Sequence, residues 1–225
     1  MASNTTVEAQ PAPHDNLTQA EAAERAALIS NLAYRVSLTL SDDPAAETFT
    51  SVTDLTFDAR REDAATFIDL VARSVDEVEL NGRRLSEAEH RFNGTRLWLP
   101  GIQRGSNRLH ITAHCEYQHT GVGLHRLQDP MDKRVYVYTH FEPFDAHKVL
   151  ACFDQPDLKA TVEMTLVAPS NWRVCGNGAI TGVESRNGLT VTRFNATPPI
   201  PSYLIAIVAG PFYVVTSEHH RLPLG

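Results

Sequence analysis

At 225 residues, the chain has room for one large domain or two small ones. Its 42% hydrophobic and 21% charged residues are ordinary for a globular fold. A formal charge of −7, with no basic cluster denser than the pairs Arg60-Arg61 and Arg83-Arg84, excludes broad nucleic-acid affinity, which needs Lys and Arg gathered on one face.

Residues 1–15 are small, polar and Pro-containing, which predicts a mobile tail. They lack the basic start and apolar centre of a secretory signal, and no run of about 18 apolar residues appears anywhere, so neither signal nor membrane span is expected. Cys115, Cys152 and Cys175 are odd in number and lack CxxC spacing, which argues for buried or half-buried free thiols in a reducing compartment. The expected location is cytoplasmic.

Residues 16–29 read as the one strong helix. Thr18 can cap it, Glu21 three residues on completes a capping box, and Ala22, Ala23, Ala26, Ala27 and Ile29 follow at roughly helical spacing. From Tyr34 the period changes to two, with Tyr34, Val36, Leu38 and Leu40 alternating with Arg35, Ser37 and Thr39. Further strands are predicted at residues 48–57, 65–70, 74–80, 95–97, 106–117 and 135–139. Four more follow at 160–168, 172–174, 189–194 and 202–209. Asn81-Gly82 and Asn93-Gly94 are tight-turn signals between them. This pattern predicts an all-β sandwich or saddle with a single short helix, one β domain over residues 16–225. The chain closes on SEHHRLPLG without a terminal helix, and further protein is expected after Gly225.

Ten histidines invite a search for metal ligands. A zincin site needs HExxH on a helix, and the nearest string, His110-Ile-Thr-Ala-His114, has Ile where the Glu belongs. It also alternates, with Leu109, Ile111, Ala113, Cys115 and Tyr117 on one face and His110, Thr112, His114 and Glu116 on the other. On a strand, residues four apart are roughly 13 Å distant, too far to share one zinc. The adjacent His219-His220 would point to opposite faces and are expected at the surface. A GxSxG elbow and a phosphate loop are absent, and Gly121-Val-Gly123 serves a turn. Cys152 lies between Ala151 and Phe153, an apolar setting that raises a thiol pKa and leaves it inert.

The remaining candidate is 139–157, where Glu142, Asp145, Asp154 and Asp157 lie beside Phe141, Phe144 and Phe153. Asp154-Gln-Pro156-Asp reads as a turn, and Asp145 as the N-cap of a short helical turn. Glu142 follows directly on a strand, where the chain leaves the sheet and a carboxylate can meet a ligand cation.

Residues 138–160, YTHFEPFDAHKVLACFDQPDLKA, resemble the YTQFEPxDARRVFPCFDQPDLKA segment of the aminopeptidase N family of zinc-dependent aminopeptidases. GVGLHR from Gly121, then Asp129-Pro130, is similar to that family's GxGLHRxxDP stretch. Trp172-Arg-Val-Cys-Gly-Asn177 is similar to its WxVxSN segment, and Thr197-Pro-Pro-Ile-Pro-Ser-Tyr-Leu204 to its TPxMSTYL. Order and spacing agree from about Leu17 onward, and the chain looks most like actinobacterial members.

The resemblance implies a saddle-like, all-β N-terminal domain that precedes a thermolysin-like catalytic domain. In that family zinc is held by HExxH and a downstream Glu, and a GAMEN segment recognises the peptide N-terminus. None of these elements occurs here, so zinc is expected in the full-length family enzyme and not on this chain, which is expected to be inactive alone. By resemblance, Glu142 occupies the position of the acid that meets the α-ammonium of a peptide substrate. His140 stands where the family commonly has a Gln lining the pocket for the first side chain; neutral His keeps a donor and an acceptor there. The expected partners are a peptide N-terminus and the catalytic domain, with neither nucleic acid nor membrane. The alternative is a stand-alone binding or scaffold module with the same fold.

Overall fold

The structure, a computed structural model, describes residues 16–62 and 64–215, and the backbone of two short strands beyond them. The predicted tail at 1–15 and the side chains of His219 and His220 lie outside the described residues.

Helix α1 (Gln19–Leu28) begins with the predicted reciprocal cap. The Glu21 amide donates to the Thr18 hydroxyl at 3.3 Å, and the Thr18 amide donates to Glu21 Oε2 at 2.8 Å. Two amides that a helix start would otherwise leave unpaired are thereby satisfied. The chain passes directly into β1 (Ile29–Thr39), which starts five residues before the sequence suggests. A bulge between Ser30 and Ala33, with Asn31 at φ 55°, shifts the alternation there and hides the strand's first turn from a period-two reading.

The strands that follow are β2 (Thr48–Ala59), β3 (Thr66–Asp69), β4 (Ser74–Leu80) and β5 (Arg83–Arg84). After the short helix α2 (Glu87–His90) come β6 (Arg96–Leu99), β7 (Gly105–Glu116), β8 (Gly123–Gln128) and β9 (Val135–His140). The remainder are β10 (Ala160–Pro169), β11 (Arg173–Gly176), β12 (Ile180–Arg186), β13 (Leu189–Phe194) and β14 (Ile207–Gly210). The terminal pair is β15 (Ser217–His219) and β16 (Leu222–Leu224).

These strands build an eight-stranded sheet in the order β12-β13-β10-β1-β2-β7-β4-β5 and a four-stranded sheet in the order β11-β14-β9-β8, with β3-β6 as a separate pair. Only β1 and β10 run parallel among the described pairs. Inward-facing Val36, Leu38, Leu55, Phe57, Ile111 and Leu166 make the floor of the core, and Phe141 and Phe153 from the β9–β10 connection fill it. Burying each such side chain contributes roughly 1.5–3 kcal/mol.

The alternation predicted for β7 is present, with Leu109, Ile111, Ala113, Cys115 and Tyr117 buried and His110 and His114 outward. Asn81 and Gly82, at φ 54° and 79°, form the hairpin turn between β4 and β5 that their sequence signals. Four differences stand out. The predicted strand at 202–209 divides into a 3₁₀ turn (Ser202–Leu204) and β14, because Pro201 enters at φ −67° and the Ser202 hydroxyl turns inward to Asp154. Strands β5, β8 and β12 were not expected; β12 is an edge strand exposed on both faces, so it has no alternation to read. Helix α2 makes a second helix where one was expected, a single turn too short for an apolar stripe. Cys115 and Cys152 are buried free thiols as expected, but Cys175 is exposed, on an outward position of the small sheet.

Candidate functional site

Strand β9 carries the candidate residues. Val135 and Val137 point into the core, whereas Tyr136, Tyr138 and His140 face outward. Phe141, 2% exposed, then plugs the chain back into the core, and a cis Glu142–Pro143 bond follows. Both Glu142 and His140 are exposed. Among the described residues Glu142 has no hydrogen-bond or ion-pair partner. The next acid, Asp145, sits at the N-cap position of the 3₁₀ turn Ala146–Lys148 but makes no side-chain cap; its carboxylate meets Lys148 Nζ at 2.6 Å instead.

His140 is oriented by the Gly121 turn. Its Nδ1 lies 3.1 Å from the Gly121 carbonyl, which only accepts, so Nδ1 carries the proton and neutral His140 offers Nε2 as an acceptor. The Gly121 amide donates to His125 Nδ1 at 3.0 Å, leaving the His125 proton on Nε2. One glycine, through the peptide groups on either side of it, thus fixes two histidines in opposite tautomers.

The outer face of the four-stranded sheet mixes aromatic and aliphatic side chains with His125 and His140, and among the described residues little covers it. Val208 stands opposite Tyr138, and Cys175 opposite Val208. The His125 ring rests on Tyr138 at 4.9 Å, and Phe212 on Tyr136 at 5.0 Å. Tyr138 and Val208 remain 41% and 40% exposed.

Asp154 has a different fate from Glu142. It is 1% exposed, and its carboxylate accepts from the His147 amide at 3.1 Å, from His147 Nδ1 at 2.8 Å and from the Ser202 hydroxyl. Its own amide donates to Asp69 Oδ2 at 3.1 Å, which also receives Arg25 Nη1 at 2.7 Å. Arg25 donates again to Gln155 Oε1 at 3.0 Å and lies between the rings of Phe67 and Phe153. Burial pushes the Asp69 carboxyl up, and Arg25 only partly offsets it. The turn predicted at Pro156 is present, closed by Leu158 N–H donating to the Gln155 carbonyl at 3.0 Å. This network was not legible in the sequence; the available signal was Arg25 one helical turn before buried Leu28, on the packed side of α1.

The network offers no nucleophile. Ser202 donates to Asp154 and not to His147, so the serine stands at the wrong end of a Ser–His–Asp relay. Burial, and then the nearby Asp154 and Asp69 charges, push the Cys152 thiol well up, away from the thiolate that chemistry would need. On the large sheet, His110 Nδ1 pairs with Asp54 at 2.7 Å and His114 Nε2 with Asp76 at 2.9 Å, each histidine on a separate acid. Among the described residues no three of His, Cys, Asp and Glu converge as ligands, so these residues do not form a zinc site. No described helix is long and apolar enough to cross a membrane.

Comparison with known proteins gives a consistent result. Aminopeptidase N of Streptomyces lividans is 42% identical over 217 residues, which cover 95% of this chain and 25% of that protein. A probable M1 family aminopeptidase 1 of Encephalitozoon cuniculi is 30% identical over 164 residues, covering 63% of this chain and 19% of its own length. This chain therefore spans about a quarter or less of these relatives. The crystal structure of an M1 zinc metallopeptidase mutant from Deinococcus radiodurans superposes with a TM-score of 0.69 at 22% identity, over 85% of this chain and 44% of that one, a likeness of fold. Residues 30–204 match the family described as Peptidase M1 N-terminal domain, and the chain belongs to that family.

Proposed function

We propose that residues 16–225 form the substrate-anchoring N-terminal domain of a zinc aminopeptidase that removes N-terminal amino acids from peptides. The observation that carries this reading is Glu142, an exposed carboxylate without an internal partner, at the end of the strand whose outward side chains form the uncovered aromatic face. In this reading Glu142 accepts the α-ammonium of the peptide, a charge-assisted contact that an internal peptide bond cannot make. His140, two residues earlier on the same face, lines the pocket for the first side chain and presents Nε2 as an acceptor when neutral. The partner is a thermolysin-like catalytic domain that brings the zinc, the GAMEN segment and the general base, and the outer face of the four-stranded sheet is where it packs. The chain's own contribution is binding and orientation, in the cytoplasm, and alone it releases no product.

The test is Glu142→Ala in an enzyme that joins this segment to the catalytic portion. Loss of one charge-assisted contact lowers kcat/KM about tenfold to hundredfold on aminoacyl-anilides. An unchanged value removes Glu142 from the site. Zinc-dependent turnover by the 225-residue chain alone would overturn the assignment of all chemistry to the partner.

A further inference from the structure

The turn that carries Glu142 is itself held from behind. His147 is 5% exposed, and its amide, its imidazole Nδ1 and its carbonyl all have partners: Asp154 Oδ2 at 3.1 and 2.8 Å, and the Val71 amide at 2.7 Å. Its ring faces the Phe144 ring, with centroids 4.4 Å apart, and Phe144 is separated from Glu142 only by Pro143. The Asp145 amide donates to the Phe141 carbonyl at 2.9 Å, closing the turn on its inner side. A continuous path therefore runs from Asp154 through His147 and Phe144 to the residue that presents Glu142. Asp154 is anchored in turn by Ser202, and through Asp69 by Arg25 of α1.

From this path we infer that His147 is a positioning residue for Glu142: its Nδ1–H bond to Asp154 holds residues 141–148 so that the Glu142 carboxylate faces outward and stays free for a cation. The inference rests on reading Glu142 as the ammonium anchor. The physical reason for such a device is the exposed position of Glu142. A carboxylate on an untethered turn would lose affinity to the entropy of ordering it at each binding event, and a turn fixed in advance avoids that loss. Asp154 suits the task because both of its oxygens are occupied by donors, two from His147 and one from Ser202, so the anchor has no unsatisfied alternative.

NMR of the 225-residue chain tests the bond directly. The His147 Nδ1–H proton should be protected from solvent exchange, and the amide signals of Glu142 and Phe144 should be sharp. His147→Leu should shift and broaden those two signals. His147→Asn keeps a donor where Nδ1 stood and should restore them. A rapidly exchanging Nδ1–H, an unaffected turn in His147→Leu, or an Asn variant as disordered as the Leu variant would each overturn the inference. If His147→Leu does not fold, the wild-type proton and the Asn variant still decide. In the joined enzyme His147→Leu should raise KM about tenfold with kcat within about threefold, and His147→Asn should return KM to within about twofold of wild type. Glu142→Ala separates the two claims. If it leaves kcat/KM unchanged the ammonium reading fails, while the amide signals still decide whether His147 positions the turn.

Discussion

The two sheets differ in how their outward-facing polar groups are partnered. On the eight-stranded sheet several outward charges find partners: His110 with Asp54, His114 with Asp76, Arg73 with Glu47 and Glu116, Arg35 with Glu163, and Arg193 with Glu184. Such a face is satisfied in water. The four-stranded sheet turns Tyr138, Val208 and Leu127 outward, as β12 and β13 at the rim of the large sheet turn out Ile180, Val183 and Leu189, but Glu142, just past the end of β9, has no partner among the described residues. The histidines of the large sheet, which look most like chemistry in sequence, are each paired to a surface acid, whereas Glu142 beyond the small sheet is left open to a ligand under the proposed reading.

A third environment, the buried polar network, should show the largest effect of any single change. Asp69→Ala leaves Arg25 charged and buried without its partner at 2.7 Å, and should cost about 3–5 kcal/mol in urea unfolding. A loss below 1 kcal/mol would mean that water enters the site readily, and the contrast between interior and surface pairs would collapse. Next comes the aromatic face. If the proposed packing holds, Tyr138→Glu places a charge in that contact and should weaken association with the catalytic portion more than tenfold, while the thermal midpoint of the isolated chain moves little. Equal affinity by titration calorimetry would assign the face to solvent after all.

Glu21 gives a smaller effect with a defined sign. Burial would raise its carboxyl, but hydrogen bonds from the Arg96 side chain and from the Thr18 amide and hydroxyl outweigh it and hold the pKa down at about 2, against 4.5 ordinarily. With the folded value below the unfolded one, the unfolded chain binds the proton first as pH falls. The stabilisation from Glu21 is therefore complete above about pH 4.5 and is lost progressively as pH falls toward 2. Glu21→Gln should flatten the stability profile across that window in acid titrations followed by circular dichroism. The smallest effect belongs to the large sheet. Asp54→Ala should cost no more than about 1 kcal/mol, since the His110–Asp54 pair is solvent-screened on an exposed face. A larger loss would show that the outer pairs of the large sheet are structural rather than cosmetic.

Sequence alone determined the local elements and the lineage. Capping at Thr18 and Glu21, alternation in β7 and the Asn81-Gly82 hairpin depend on neighbours a few residues apart, so they are written in the chain directly. The same holds for the GLHR, THFEP and FDQPDLKA motifs, whose order names the family. The tertiary structure decided the fate of similar residues. Glu142 and Asp154 are both acids within one motif-rich stretch, yet one is exposed and unpartnered and the other fully buried. What separates them is the company brought from far along the chain: His147, Ser202, Asp69 and Arg25 converge on the Asp154 side, and nothing described converges on Glu142. Long-range convergence leaves no period in a sequence, because it is set by how sheets stack and not by spacing along a strand. The 3₁₀ turn at Ser202 escaped the sequence for the same reason, being held by distant Asp154, whereas the bulge at Ser30 hid its strand by breaking the alternation locally.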